Sequence, residues 1–135
     1  MNYWLLKCEP DRDYSYQDLE KDGKTYWDGV TNNWALKFIR EIKKGDKAFI
    51  YHTGKQRCVV GIASVVSDPY PDPNKHNEKL LVFDVTPDKA LNNPVTLSQI
   101  KADGRFDDFH LVKFGRLSVM PVDEKFWGDI LKMSE

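Results

Sequence analysis

Cysteine is scarce in this chain. Cys8 and Cys58 are the only two in 135 residues, too few for a disulfide framework or a thiolate metal cage. Met1–Lys7 carries a short apolar run but no basic flank and no small-residue cleavage site, so no export signal is read there. The expectation is reduced thiols in the cytosol, or in the nucleus of a nucleated cell. No apolar run approaches the roughly 20 residues of a membrane span, so no membrane partner is expected. Excess charge is also missing. A net charge of −1 and a pI near 6.3 exclude the broad basic field of a protein that coats duplex by neutralising phosphates, so any nucleic-acid contact has to be local. His76 and His110 stand alone in the sequence and are read as loop or surface residues, with no metal site and no cofactor expected. The chain has neither an internal repeat nor a low-complexity tract.

What is present fits one domain over 1–135, with 41% apolar and 30% charged residues. Tyr3–Leu6 has strand character and is closed by Lys7-Cys8-Glu9-Pro10, where the proline ends pairing. Ser15 with Asp18 reads as a capping box opening a helix that stops near Gly23. Asp28-Gly29 supplies a tight turn after Trp27, and Thr31, Asn32 or Asn33 can cap the helix that follows. Along that helix Trp34, Ala35, Phe38, Ile39 and Ile42 recur at helical spacing, which places Trp34 in the core. Ala48–Thr53 is a strand running straight into Tyr51, His52 and Thr53, residues that stack or hydrogen-bond. Cys58–Val66 pairs with it as a hairpin, with Gly61 a bulge. Three prolines between Pro69 and Pro73 make 68–77 a long irregular loop. Leu80–Pro87 is a strand, Thr96 caps a short helix, 109–114 fits either helix or strand, and Gly115–Val122 reads as turn then strand. Asp123 caps a last helix whose Phe126, Trp127, Ile130 and Leu131 face the core. Short strands paired as hairpins and broken by short helices describe an α+β domain, a mostly antiparallel barrel with peripheral helices.

Several strand ends join an aromatic to small polar groups: Trp4–Pro10, Trp27–Asn33, Tyr51–Thr53 and Gly115–Ser118. Rings supply stacking area, while asparagine, serine, threonine and backbone groups read an edge. A planar heterocycle is the guest such a pocket fits. Lys37, Arg40, Lys43, Lys44, Lys55 and Arg57 form at most a modest basic rim.

Eight blocks in order carry a family resemblance over essentially the whole chain. They are Lys7-Cys8-Glu9-Pro10, Trp27-x-Gly29-Val30 with Asn32, Arg40-x-x-Lys43-x-Gly45-Asp46, Phe49-x-Tyr51-His52, Gly61-Ile62-Ala63, Tyr70-Pro71-Asp72-Pro73, Pro94-Val95-Thr96-Leu97 and Gly115-Arg116-Leu117-Ser118-Val119-x-Pro121-Val122. Together they resemble the EVE domain family. The resemblance implies a PUA-like pseudo-barrel akin to YTH and ASCH domains. It implies a pocket for a modified nucleobase, with methylated or oxidised cytosine in DNA, or a modified RNA base, as ligand. It also places ligand contacts at Lys7, Cys8, Glu9, Trp27, Gly29, Val30, Asn32, Tyr51, His52, Thr53, Arg116, Leu117 and Ser118. The chain departs from the family's serine at Cys8, its arginine at Thr31 and its serine at Thr53. A thiol donates more weakly than a hydroxyl, and Thr31 removes a phosphate or base contact.

The partner expected is therefore nucleic acid with modified bases, bound by a monomer without catalysis. Two other readings compete. Cys8, Glu9 and His52 could form a thiol, acid and base set, and the acidic pI suits a module for proteins or small molecules.

Overall fold

The computed structural model describes residues 1–135, and its strands follow the apolar runs of the sequence. They are β1 (Tyr3–Cys8), β2 (Thr25–Trp27), β3 (Lys47–His52), β4 (Cys58–Val65), β5 (Tyr70–Pro71), β6 (Leu81–Thr96) and β7 (Val119–Val122). One sheet has the order β2-β6-β4-β3-β1-β7, with β5 added beside β6. Only β1 and β3 run parallel; the other pairings are antiparallel. The sheet curls into a half-barrel with five helices, an α+β fold. These are α1 (Tyr16–Asp22), α2 (Asn33–Glu41), α3 (Leu97–Asp103), α4 (His110–Lys113) and α5 (Glu124–Met133).

β3 lies between β4 and β1, and both of its faces are covered. Phe49 stacks on Trp127 of α5 at 3.8 Å between ring centroids, and Trp127 stacks in turn on Tyr3 at 4.4 Å. On the opposite face, His52 receives the backbone N–H of Tyr16 at the start of α1. Ala48 through His52 are consequently all buried, so alternation along this strand separates two interiors rather than interior from solvent. Asp46 ties the entry of β3 to β1. Its carboxylate accepts from the Asn2 and Lys43 backbone N–H groups, both at 3.0 Å, and from Trp4 Nε1 at 2.9 Å.

Local chemistry places the helices as read. Ser15 and Asp18 form the reciprocal capping box, and Gly23 closes α1 at φ 75°. Asn32 caps α2, its Oδ1 accepting from the N–H groups of Trp34 and Ala35 at 3.0 Å each. Thr96 caps α3 and Asp123 caps α5, whose Trp127 and Ile130 are buried. The β4 register slips between Val59 and Gly61, the bulge expected at that glycine. A Cβ at Gly61 would lie 2.5 Å from the Tyr16 ring, so only glycine lets α1 pack this closely.

The structure departs from the sequence expectation at four places. Trp34 is 39% exposed. The buried stripe of α2 is Ala35, Leu36 and Ile39, and Trp34 with Phe38 forms a shoulder beside it. The strand after residue 80 does not stop at Pro87 but continues to Thr96. Pro87 is tolerated because the β4–β6 register shifts between Ile62 and Ala63, opposite it. The proline-rich loop is partly regular: Tyr70 and Pro71 pair with Val82 and Leu81 as an edge strand, where Pro71 owes no N–H to a further neighbour. The Tyr70 hydroxyl straps the segment down by donating to Asp84 Oδ1 at 2.6 Å. Finally, His110 is no free surface residue. Residues 109–114 contain helix α4, and His110 sits among the rings of Trp34, Phe38 and Phe114.

Candidate functional site

The strand order has two ends, β2 and β7, and a cavity of about 220 Å³ bridges them. Lys7 and Cys8 at the end of β1 form one wall, with Ser118 just before β7. The opposite wall is Thr25, Tyr26 and Trp27 of β2 and the turn Asp28-Gly29-Val30, where Gly29 takes φ 79°. Asp13 and Tyr14 complete it.

The rings here play unequal parts. Trp27 is only 7% exposed and forms the wall, braced edge-on by Tyr14 at 6.3 Å. Tyr26 is 37% exposed and offers more open ring; its hydroxyl accepts from Asn74 Nδ2 at 2.7 Å. The polar lining is acidic. Neither the Asp13 nor the Asp28 carboxylate is held in an ion pair or hydrogen bond within the protein. Burial, followed by the charges of Asp13, Asp18 and Glu9, pushes the Cys8 thiol up to about 12, so it is protonated at neutral pH. Lys7 directs its charge out of this cavity. Nζ donates to the Gly115 carbonyl at 2.9 Å and lies 5.6 Å from the Tyr51 ring, and burial lowers its pKa.

Two further hollows continue from the first. Lys7 also lines one of about 330 Å³, with Tyr51, Thr53 and Arg57. Gly115 links that to another of about 300 Å³, formed by Asn32, Trp34, Phe114, Arg116 and Leu117. Arg57, at the tip of the β3–β4 hairpin, is the one non-glycine residue with positive φ, 45°. The cations Lys7, Arg57 and Arg116 thus follow a trough leading away from the acidic cavity.

The candidate residues divide accordingly. Lys7, Cys8, Trp27, Gly29, Val30 and Ser118 meet in the first cavity. Tyr51 and Thr53 line the second hollow, and Asn32, Arg116 and Leu117 the third. Thr53 also latches β3 to β1, its N–H donating to the Cys8 carbonyl at 2.9 Å. Glu9 turns aside to cap its own loop, its carboxylate accepting from the N–H groups of Asp11 and Arg12. His52 is 2% exposed and lines none of these hollows; Tyr16 N–H donates to Nε2 and Nδ1 meets Gln56 Oε1 at 2.9 Å. Cys8, Glu9 and His52 therefore do not assemble a thiol, acid and base relay. Asp13, Thr25, Tyr26 and Asp28 line the first cavity and Trp34 and Phe114 the third without having been singled out for it. The Asp28-Gly29 turn beside Trp27 was a signal for Asp28; Asp13 had none, because its place depends on the fold.

The EVE domain model matches residues 2–133. Rat thymocyte nuclear protein 1 is 30% identical over 167 aligned residues, which cover 99% of this chain and 74% of the relative. The crystal structure of Atu2648 from Agrobacterium tumefaciens superposes with a TM-score of 0.95 at 34% identity, covering 99% of this chain and 93% of that one. A structure of human thymocyte nuclear protein 1 (THYN1) in complex with DNA containing 5-methylcytosine has a TM-score of 0.90 at 27% identity, covering 100% and 98%.

Proposed function

The chain belongs to the EVE domain family, and we propose that it binds nucleic acid by taking one modified nucleobase, methylated or oxidised cytosine in DNA or a modified RNA base, into the cavity between β1 and β2. The binding of 5-methylcytosine DNA by the human relative supports this reading. The observation that carries it is the free carboxylate pair Asp13 and Asp28 in an aromatic cavity beside a cationic trough. A carboxylate accepts from the exocyclic amino group of cytosine and repels the carbonyl that thymine presents at the same place. Phosphates are excluded from an acidic hollow and run instead past Lys7, Arg57 and Arg116.

A volume of about 220 Å³ is below the roughly 300 Å³ at which drug-sized pockets begin, which suits a single base. That base comes from a single strand or is swung out of a duplex, and stacking on Tyr26 and contact with the Trp27 wall repay part of the lost base stacking. Val30 and the protonated Cys8 thiol supply an apolar contact for a methyl group. No chemistry follows binding: the thiol is not a thiolate, and the His52 nitrogens are both engaged. The site of action is wherever nucleic acid is reached, the bacterial cytosol or a nucleus.

The direct test is titration of the protein with 5-methyl-2′-deoxycytidine and with thymidine, followed by NMR at the Trp27 indole N–H. These nucleosides share a shape and differ at the edge. Saturable shifts with the cytidine only are expected; equal response to both would sink the proposed role of the carboxylates.

A further inference from the structure

Large exposed apolar side chains are few: Met1, Tyr26, Trp34 and Phe114. Tyr26 belongs to the base cavity. Trp34 and Phe114 come from different elements yet touch each other edge-to-face at 4.7 Å, 39% and 38% exposed. Neither ring is loose. Trp34 is fixed in the first turn of α2, which Asn32 caps, and rests against Phe38 at 5.7 Å and His110 at 5.9 Å. Phe114 ends α4, its N–H donating to the His110 carbonyl at 2.8 Å. Two rings braced by neighbours and left open to solvent forgo apolar burial, and they spend little conformational entropy when a partner docks.

We infer that the Trp34–Phe114 pair is a stacking platform for a second base of the same strand whose modified base occupies the cavity between β1 and β2. The inference rests on that cavity reading for the strand's identity. Continuity fixes the occupant: the hollow beside the platform joins the cavity through residues that adjoining hollows share, Lys7 and Gly115. Charge agrees. The platform hollow has no acidic lining residue and contains Arg116, while Lys113 Nζ lies 6.0 Å from the Phe114 ring. A cationic border on an exposed ring pair suits a polyanion that offers flat apolar faces at short intervals. Every base has such a face, so the platform adds affinity without choosing sequence, and selection stays with the cavity.

The experiment compares wild type, Trp34→Ala, Phe114→Ala and Trp34→Phe by fluorescence anisotropy, using a single-stranded 12-mer with one central 5-methylcytosine and its unmodified twin. Free 5-methyl-2′-deoxycytidine is followed by NMR in parallel, and melting temperature is recorded for each variant. Each alanine variant is expected to weaken binding of both 12-mers roughly tenfold, with their ratio and the free-nucleoside response unchanged, and Trp34→Phe to keep most of the affinity. Unchanged 12-mer affinity overturns the inference, as does a loss shared by nucleoside and 12-mer with a fallen melting temperature, which marks a structural role. If wild type binds both 12-mers alike but through Trp34, the cavity reading fails and the platform stands. If wild type binds neither, both fail.

Discussion

The Tyr16 backbone N–H donates to Nε2 of His52 across 3.0 Å in the interior, which fixes His52 as the tautomer protonated at Nδ1, facing Gln56 Oε1 at 2.9 Å. The histidine is a fastener between β3 and the start of α1. His52→Ala leaves a buried N–H without a partner and opens space beneath α1. The expected loss is about 2–4 kcal/mol in urea unfolding, with no change in preference between modified and unmodified bases in the folded protein.

Gly61→Ala presses a methyl group onto the same corner. The Tyr16 ring has no room to retreat, since it is 1% exposed and its hydroxyl donates to the Ile62 carbonyl at 2.8 Å. Overpacking of this kind costs about 1–3 kcal/mol, and denaturant unfolding of the variant should fall at the upper end.

Alkaline pH should loosen the fold through Cys8. Its thiol rises from an ordinary 9.0 to about 12 on folding, so the folded state keeps a proton that the unfolded chain releases. Stability is intact below pH 9 and declines as pH climbs toward 12. Tyr16, raised from 10.0 to about 12 mainly by burial, adds to the decline from pH 10 upward. Burial raises the Cys58 thiol from 9.0 as well, so in Cys8→Ser melting temperature should still begin to fall near pH 9 but less steeply than in wild type. Iodoacetamide at pH 8 should modify Cys8 slowly in native protein and rapidly in urea.

Trp27→Ala makes a poor probe of the cavity, because removing a tryptophan 7% exposed costs about 3–5 kcal/mol. Asp13→Asn is the better one. Asp13 is exposed and unpaired, so stability should shift by less than about 0.5 kcal/mol. The amide can turn either a donor or an acceptor to the base, and the preference for 5-methyl-2′-deoxycytidine over thymidine should shrink severalfold in the NMR titration.

Local chemistry was readable wherever a few neighbouring residues decide the outcome. Ser15 with Asp18, Asn32, Thr96 and Asp123 cap their helices as their sequence positions suggest, and Gly61 is the bulge it resembles. Features decided by distant partners were not. Periodicity put Trp34 inside because it adjoins the stripe of Ala35 and Ile39, yet α2 presents it to α4 instead. Tyr51 and His52 look equivalent at a strand end, but one lines a hollow while the other is consumed by Tyr16 and Gln56. Asp13 reaches the cavity only because the sheet curls β2 toward the end of β1.

Recognition of the methyl group can be read from competition binding of wild-type protein to a 12-mer with one 5-methylcytosine against its unmodified twin, at fixed salt. A methyl group held against Val30 and Cys8 should favour the modified strand roughly tenfold or more, and Asp13→Asn should weaken both strands. Equal affinity of wild type for the two strands would rule out a cavity that takes up the modified base.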